Sequence, residues 1–371
     1  MDRLQYIYYP LLLILLFAGA RAVRRGEWNE DVLSLEQTKA FLGFASIVII
    51  FHHASQKTCA PWLNPRYIRH GLDAFVYVGY LCVAAFFFCS GYGMRTACEK
   101  EGFFKGYFKK RLLPIICPAI VIWLVFFVTE RVRGVKIDPP LWINVYDYIW
   151  FIPAILYLYV CFYISFHLVK ADRLNMPVLW AGTILYIILA VLFSPGTWWF
   201  NSVHLFAVGA GFAGKKERRL ERLKKAWILK TAVFVLLTGL FFTAANYYPM
   251  IMEKLHKPYN GKVHMLLEGS CQMISAYTFV FVLILLGLKI RIGNRALSLL
   301  GKITLKLYLL HPYFVQIFAF AFIKEGNRPV FYIKDPFLYV LAILACSLPL
   351  ALLEERLFSM MFRRSARSRE E

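Results

Sequence analysis

The sequence predicts an all-α polytopic membrane protein with about eleven transmembrane helices. Hydrophobic residues make up 60% of the 371 residues and charged residues only 18%, whereas an ordinary soluble domain is less apolar and more charged. The apolar residues are gathered in runs of about 20, the length that a helix needs to cross a bilayer. The basic residues lie mainly in alternate connections between those runs. This composition excludes a disordered chain and argues against a soluble enzyme.

Eleven apolar segments are the candidate spans. The first is short, and the seventh is interrupted by Asn201 and His204. We interpret the first as a retained span rather than a signal peptide, because no small-residue cleavage site precedes the basic cluster that begins at Arg21. In chain order the segments are 5–20, 38–55, 72–94, 112–129, 143–168, 176–194, 197–214, 227–248, 264–288, 303–323 and 337–355.

The basic residues predict the orientation of these spans. If the N-terminus lies outside, the connections that then lie inside hold 30 of the 43 Lys and Arg residues. Such an excess is typical of cytoplasmic connections. We therefore expect a multi-pass protein of the cell membrane with its N-terminus outside and its C-terminus in the cytoplasm. The net charge of +21 is then explained by topology, and no nucleic-acid partner is needed.

Two further features of the sequence bear on its binding chemistry. The connection 215–225, KKERRLERLKK, predicts a short surface helix that faces anionic lipid. The eight cysteines include no CxxC pair and lie mostly in apolar runs. They are typical of small buried hydrophobic residues, so the sequence favours neither a disulfide framework nor a metal site.

Polar residues inside spans are candidate functional residues, because a charged group in the bilayer is costly. The first group runs from Lys39, at the inner end of the second span, to His52 and His53 near its outer end. A neutral imidazole in the interior of a helix bundle can act as a general base. Successive helical residues point about 100° apart, so we expect at most one of the two histidines to face a given site. The simpler alternative is an interfacial pair that ends the span.

The second group combines small residues in the third span with a basic run behind it. Ser90 lies in the segment FFFCSGYGM, and Lys109, Lys110 and Arg111 lie just inside the membrane. The small residues allow a close approach of backbones, and the planar guanidinium of Arg suits phosphate groups. The alternative is an ordinary basic flank of a span.

The third group is centred on His311, near the middle of the tenth span. Pro312 follows it and removes one helical hydrogen-bond donor. A buried histidine beside a local irregularity indicates a site. The alternative is a structural histidine that is hydrogen-bonded to a neighbouring helix.

The fourth group lies at the outer ends of several spans. It consists of Asn201, His204 and Glu268, together with Asp147 and Trp150 at the start of span five. These residues can line a polar cavity that opens to the outside. The alternative is that they cap helices and anchor them at the interface.

These motifs, in this order and spacing, resemble those of the acyltransferase-3 family, integral membrane acyltransferases of about ten spans. The resemblance runs from about Ser34 to Leu357. It rests on Glu36, Gly43 and His53 in the first core span, on FFxxSG and a basic stretch before a proline, on a Trp that opens a middle span, and on a late G-x-I-T-x-x-x-Y-L-x-H segment. The matching residues after the first span are Phe86, Phe87, Ser90, Gly91, Lys110, Arg111, Pro118, Trp150, Gly301, Ile303, Thr304, Tyr308, Leu309 and His311.

The chain departs from the family pattern at two places. The family has a basic residue just before the glycine of the first core span, where this chain has Leu42. Lys39, one helical turn earlier, lies on nearly the same face and can substitute for it. Some members also carry two glutamates shortly after the Trp, and those positions are Ile155 and Leu156 here. A role that depends on those glutamates does not transfer.

The resemblance implies three regions and a reaction. Residues 1–33 form an extra N-terminal transmembrane helix and basic linker, 34–357 the membrane acyltransferase domain, and 358–371 a basic cytoplasmic tail. The reaction is transfer of an acyl group, usually acetyl from acetyl-CoA, to a hydroxyl of a cell-surface or lipid-linked glycan or a related acceptor. The expected catalytic residues are His53, His311, Tyr308 and His52, and the expected residues for the CoA thioester are Lys39, Ser90, Lys109, Lys110 and Arg111.

In the expected mechanism, His53 takes the proton of the acceptor hydroxyl or of a relay group, and His311, Tyr308 and Ser90 position the thioester or stabilise the oxyanion. Two other functions stay open from the residues alone. One is a secondary transporter, although the chain lacks an evident internal repeat. The other is a non-catalytic membrane assembly protein. The expected partners are the lipid bilayer, an acyl-CoA and the acceptor, and the sequence leaves the oligomeric state open.

Overall fold

The structure, a computed structural model, describes residues 3–63, 65, 68–133, 149–194, 196–255, 261–319 and 333–367. Its helices, in chain order, are α1 Tyr8–Phe17, α2 Leu35–Thr58, α3 Gly79–Cys98, α4 Tyr107–Arg111, α5 Leu113–Arg133, α6 Phe151–Tyr163, α7 Asp172–Phe193, α8 Leu205–Ala213, α9 Lys216–Lys224, α10 Trp227–Lys254, α11 Lys262–Gly287, α12 Arg295–Phe318 and α13 Pro336–Arg367. The short strands β1 Arg21–Ala22 and β2 Ile290–Arg291 pair antiparallel.

The prediction of an all-α polytopic membrane protein is confirmed. Eight helices in the described part of the chain are long and apolar enough to cross a membrane: α2, α3, α5, α6 with the π-helical turn Ile164–Leu168 behind it, α7, α10, α11 and α13. Helix α12 is 24 residues long and packs in the interior of the bundle, although it carries several basic residues.

Two expected spans differ from the prediction. The first, at 5–20, is a 3₁₀ turn Leu4–Ile7 followed by the ten-residue α1. Together they rise only about 21 Å, which is less than the apolar core of a bilayer. The seventh, at 197–214, is a 3₁₀ turn Thr197–Trp199 and the nine-residue α8, separated by a non-helical turn. The polar residues inside that segment break the helix, and α8 is a buried half-helix.

One boundary of another span shifts, and parts of two others lie outside the described residues. The third begins at Gly79 rather than 72, because the residues before it form the 3₁₀ turn Asp73–Phe75. The described part of the fifth begins after residue 148, and residues 320–323 of the tenth lie outside the described residues. Asp147 also lies outside them.

Contacts at one end of the bundle join the connections that we expect inside. Strands β1 and β2 join the connections after α1 and α11. The ammonium group of Lys224 lies 2.7 Å from a carboxylate oxygen of Glu30, and that of Lys289 lies 3.5 Å from the centre of the Trp28 ring. We call this the inner end, after the side that the basic residues predict.

Contacts at the opposite end join the other set of connections. The side-chain amide of Gln5 donates to the carbonyl of His70 at 3.1 Å, and the ammonium group of Lys262 donates to the carbonyl of Ser194 at 3.0 Å. The Tyr9 ring stacks on Phe75 with centroids 5.2 Å apart. We call this the outer end. The alternation of connections along the sequence therefore agrees with the packing of the helices.

Helices α2 and α12 begin at side-chain caps and cross closely. Ser34 and Asn294 each accept a backbone N–H of the first helical turn, at 3.3 and 2.8 Å. A Cβ atom added at Gly43 would lie 2.7 Å from the backbone nitrogen of Gly301. Only glycine fits there, because the two backbones touch.

Candidate active site

The centre of the site is a pair of histidines from α2 and α12. Nδ1 of His53 lies 2.7 Å from Nε2 of His311, and the two ring planes differ by only 7°. His53 is 9% exposed and His311 1% exposed. Both follow a glycine of the helix crossing by ten residues, Gly43 and Gly301 respectively. Ten residues rise about 15 Å along a helix, so two parallel helices that cross at the glycines bring the histidines to the same height.

Hydrogen bonding fixes the tautomer of each neutral ring. Nδ1 of His311 lies 2.8 Å from the carbonyl oxygen of Leu307. Because a carbonyl only accepts, the proton of His311 is on Nδ1 and its Nε2 accepts from Nδ1 of His53. His53 therefore carries its proton on Nδ1, which leaves Nε2 as its basic nitrogen. The hydrogen bond holds the ring of His53 in one orientation, an arrangement like that of a carboxylate beside the histidine of a catalytic triad.

His52 is held by the turn that precedes α3. Its Nδ1 lies 2.9 Å from the carbonyl oxygen of Phe75, and its ring fills the space beside Gly79. His52 and His53 both line the same cavity, and the expectation that at most one of them faces a bound substrate stays a prediction.

A cavity of about 350 Å³ lies at the outer end, and we call it the outer cavity. It unites three of the groups singled out in the sequence. His53 from the first group and Tyr308 from the segment of the third line it together with Asn201 and Glu268 of the fourth. Aromatic rings form much of the remaining wall: Trp62, Tyr77, Tyr80, Trp150 and Trp198.

A chain of polar side chains runs along one wall of the outer cavity. The amide nitrogen of Asn201 donates to Oε1 of Gln272 at 2.8 Å, and the amide nitrogen of Gln272 donates to Oε1 of Glu268 at 3.0 Å. Hydroxyl groups of a ligand can join such a chain as donors or acceptors. The sequence gives only a weak indication of Gln272, because an uncharged amide in a span is a weaker indicator of function than a charged side chain.

A second cavity, of about 1030 Å³, lies at the inner end, and we call it the inner cavity. Four cationic side chains line it, Arg95, Lys215, Arg219 and Arg222, with Asp172 as the carboxylate among the described lining residues. Aromatic rings also line it: Phe104, Phe166, Trp180, Phe212, Tyr277 and Phe281. This arrangement suits a large anionic ligand with a planar ring system.

Two of these guanidinium groups lie over aromatic rings. Arg95 lies 5.2 Å from the centre of the Phe166 ring, and Arg219 lies 5.6 Å from that of Phe212. Such contacts help to hold a guanidinium in place, and Nη1 of Arg95 also donates to a carboxylate oxygen of Glu99 at 3.0 Å. Helix α9, which the sequence predicted as a lipid-facing surface helix, supplies Arg219 and Arg222, while its Leu220 is buried. The basic composition of this connection is visible in the sequence, but the sequence does not show that its arginines face a cavity rather than lipid.

The residues expected to bind the CoA thioester lie elsewhere. Lys39, Lys109 and Lys110 are exposed. The Ser90 hydroxyl lies 2.9 Å from that of Tyr159, and the Arg111 guanidinium lies 4.9 Å from the centre of the Phe103 ring. None of the five lines the inner cavity, and their binding role stays a prediction.

The FFxxSG element has a packing function. A Cβ atom added at Gly91 would lie 1.9 Å from the carbonyl oxygen of Phe206, and one added at Gly209 would lie 2.1 Å from that of Phe88. Helices α3 and α8 therefore touch backbone to backbone. This contact fixes the half-helix α8, which lines the inner cavity.

The described part of the chain holds no group of three His, Cys, Asp or Glu residues placed to bind a metal ion. The expectation of a metal-free site stays a prediction.

Comparison with known proteins gives one family. The family model described as an acyltransferase domain, that of the acyltransferase-3 family, matches residues 43–353. The comparisons with curated proteins and with solved structures each found no match.

Proposed function

Because the chain belongs to the acyltransferase-3 family of membrane acyltransferases, we propose that it transfers an acetyl group from acetyl-CoA to a hydroxyl of a cell-surface glycan or related acceptor. His53 is the general base. The observation that carries the proposal is the His53–His311 hydrogen bond at the wall of the outer cavity. His53 lines that cavity, and its tautomer makes Nε2 the nitrogen that can accept the proton of a hydroxyl bound there.

The reaction has two steps. Nε2 of His53 takes the proton of the acceptor hydroxyl while the hydroxyl oxygen attacks the thioester carbonyl carbon. The carbon–sulfur bond then breaks, CoA leaves as a thiolate, and the thiolate takes the proton from Nε2 of His53. Nδ1 of His53 donates to His311 throughout, so the positive charge of the imidazolium is shared with a polar partner.

The phenol of Tyr308 is the proposed hydrogen-bond donor to the developing oxyanion. It lines the outer cavity, and its ring lies 6.0 Å from that of His311. A donor that is already in place when negative charge develops lowers the barrier more than one that must reorient. His52, tied to the carbonyl of Phe75, shapes the same wall.

The inner cavity supports an acyl-CoA as the donor. CoA carries three phosphate groups and an adenine ring, and the cavity offers four cations together with aromatic faces. Arginine is the side chain best suited to phosphate oxygens. The volume of about 1030 Å³ is at the upper end of the usual range for ligand cavities.

The outer cavity supports a carbohydrate acceptor. Aromatic rings such as Trp62 and Tyr77, with centroids 6.2 Å apart, stand at its wall beside the Asn201–Gln272–Glu268 chain. Aromatic faces pack on the apolar faces of sugar rings, and amides and carboxylates bind the hydroxyls. A position at the outer end places the acceptor on the far side of the membrane from a cytoplasmic donor.

A gene deletion tests the proposal. Cells that lack the gene should lose O-acetyl groups from a surface glycan, and the wild-type gene should restore them, whereas a gene with His53→Ala should not. Unchanged acetylation of surface glycans and lipids in the deletion strain would contradict the proposed acceptor. Uptake of a solute by proteoliposomes, with no acyl transfer, would instead support the transporter alternative.

A further inference from the structure

A thin wall separates the outer cavity from the inner cavity. On α11, Gln272 lines the outer cavity and Tyr277 lines the inner cavity. Five residues rise about 7.5 Å along a helix. Opposite α11, Asn201 lines the outer cavity and His204 lines the inner cavity. We call the turn 201–204, just before α8, the dividing turn.

The dividing turn carries polar atoms with no hydrogen-bond partner. Oδ1 of Asn201, Oγ of Ser202 and Nδ1 of His204 are buried and bond to nothing in the described part of the chain. The three residues are 2%, 0% and 7% exposed. Buried polar groups are nearly always paired, because an unpaired one has lost its water without replacement. Asn201 and His204 each line a cavity, and Ser202 lies between them in the same turn, so a ligand that passes from one cavity to the other is placed to supply the missing partners.

We propose that the dividing turn binds the amide-bearing arm of the acyl donor, a pantetheine group. This inference rests on the proposed function, in which the phosphates lie in the inner cavity and the thioester lies at His53. An arm that joins the two must cross the wall, and the dividing turn is one side of that wall. The arm has two amides, whose N–H groups and carbonyls match acceptors such as Oδ1 of Asn201 and a hydroxyl such as that of Ser202.

The dimensions agree with this path. Nine residues of α8 separate the dividing turn from the basic residues at the inner cavity, a rise of about 13.5 Å. The arm has twelve bonds between its oxygen and its sulfur, as many as four extended residues, and reaches roughly 14 Å. An arm with its phosphates near Lys215 therefore brings its sulfur to the dividing turn.

Two ligands distinguish binding of the pantetheine arm from binding of the phosphates, and neither measurement needs the acceptor. CoA has both, whereas adenosine 3′,5′-bisphosphate has phosphates and adenine but no arm. Binding of each to the purified full-length protein in lipid nanodiscs is measured by calorimetry. The variants are Ser202→Ala and His204→Leu, with Arg219→Gln as the comparison for the phosphate site.

The matched control is Ser347→Ala in α13. Ser347 is also fully buried, and its hydroxyl also has no partner in the described part of the chain. Neither serine is among the residues that line the two cavities, but Ser202 lies in the dividing turn between residues that do, whereas Ser347 lies in α13. Removal of an unpaired hydroxyl should leave the melting temperature of the ligand-free protein unchanged or raise it at both serines. A change in CoA affinity at Ser202 alone is then not a folding effect.

We expect Ser202→Ala and His204→Leu to weaken CoA about five- to tenfold each and to leave the bisphosphate unchanged. Arg219→Gln should weaken both ligands, and Ser347→Ala neither. The inference is overturned if the dividing-turn variants bind CoA as the wild type does, or if they weaken both ligands equally. If the wild type binds neither ligand, the proposed acyl-CoA donor fails, and the inference fails with it.

Discussion

Nδ1 of His53 lies 2.7 Å from Nε2 of His311, and each histidine lies ten residues beyond the glycine at which its helix crosses the other. The crossing of α2 and α12 thus sets the height of the histidines, and the hydrogen bond sets their tautomers. The two glycines and the two histidines therefore belong to one structural unit: the glycines let the helices cross, and the crossing brings the histidines into contact.

The glycine crossing should be intolerant of a methyl group. A Cβ atom added at Gly301 would lie 2.4 Å from the carbonyl oxygen of Lys39, so Gly301→Ala must push α2 and α12 apart. We expect a loss of about 1–3 kcal/mol of stability and a larger loss of kcat, because the histidine pair separates. Gly239→Ala is the control, since nothing lies within 4 Å of a Cβ atom there, and it should not destabilise. Thermal melting and transfer rates of both variants, measured side by side, check this.

His311 should act through His53 and not on the substrate. His311→Leu removes the acceptor of Nδ1 of His53 and frees the ring to rotate, so kcat should fall about 100-fold with little change in the KM for the acyl donor. His311→Gln keeps an acceptor oxygen near that position and should recover part of the rate. Equal rates for the two variants would contradict the orienting role.

The basic residues that bind the donor can be identified by comparing two sites. Arg219→Gln should raise the KM for acetyl-CoA about 10-fold or more, as expected for loss of a charged hydrogen bond to phosphate. Lys109→Gln combined with Lys110→Gln tests the residues that the sequence favoured. If the double variant raises the KM and Arg219→Gln does not, the donor lies outside the inner cavity.

The turn that holds His52 should weaken in acid. Nδ1 of His70 and the backbone N–H of Gly71 contact the carboxylate of Asp73 at 2.8 and 2.7 Å. Burial alone would raise the pKa of Asp73, but these hydrogen bonds outweigh it and hold the pKa below the usual 3.8. A lowered pKa stabilises the folded state at pH values above the unfolded pKa, and this contribution is lost as pH falls through the folded pKa.

Asp73→Asn should therefore remove this acid sensitivity. We expect the variant to have a lower melting temperature than the wild type at neutral pH, and the difference between them to shrink below about pH 4. A difference that is constant down to about pH 2 would show that ionised Asp73 does not support the turn.

Much of the site could be predicted from the sequence, because motif residues in helices keep their spacing when the helices pack. His53, His311 and Tyr308 are close together, and the loosely defined group of Asn201 and Glu268 lies at the same cavity. The family and the all-α membrane fold are confirmed. The catalytic and binding roles of these residues stay predictions.

The cationic residues of the inner cavity could not be predicted. Many basic residues lie near the inner end, but Arg95, Arg219 and Arg222 are the ones that line the cavity. They do so because α3, α7 and α9 line the same cavity, and which helices come together depends on the tertiary structure. The break in the seventh span has a similar reason. The mean hydropathy of the segment stays high despite Asn201 and His204, whereas in the structure the helix begins only after these two residues.

The most direct test of the central claim is the rate of acetyl transfer by His53→Ala. Full-length wild-type and variant proteins in lipid nanodiscs, matched in melting temperature and in CoA affinity, are given radiolabelled acetyl-CoA and a surface-glycan fraction. If His53 is the general base, transfer by the variant should fall about 100- to 10,000-fold. Transfer at a near wild-type rate by a folded variant that binds CoA normally would contradict the account.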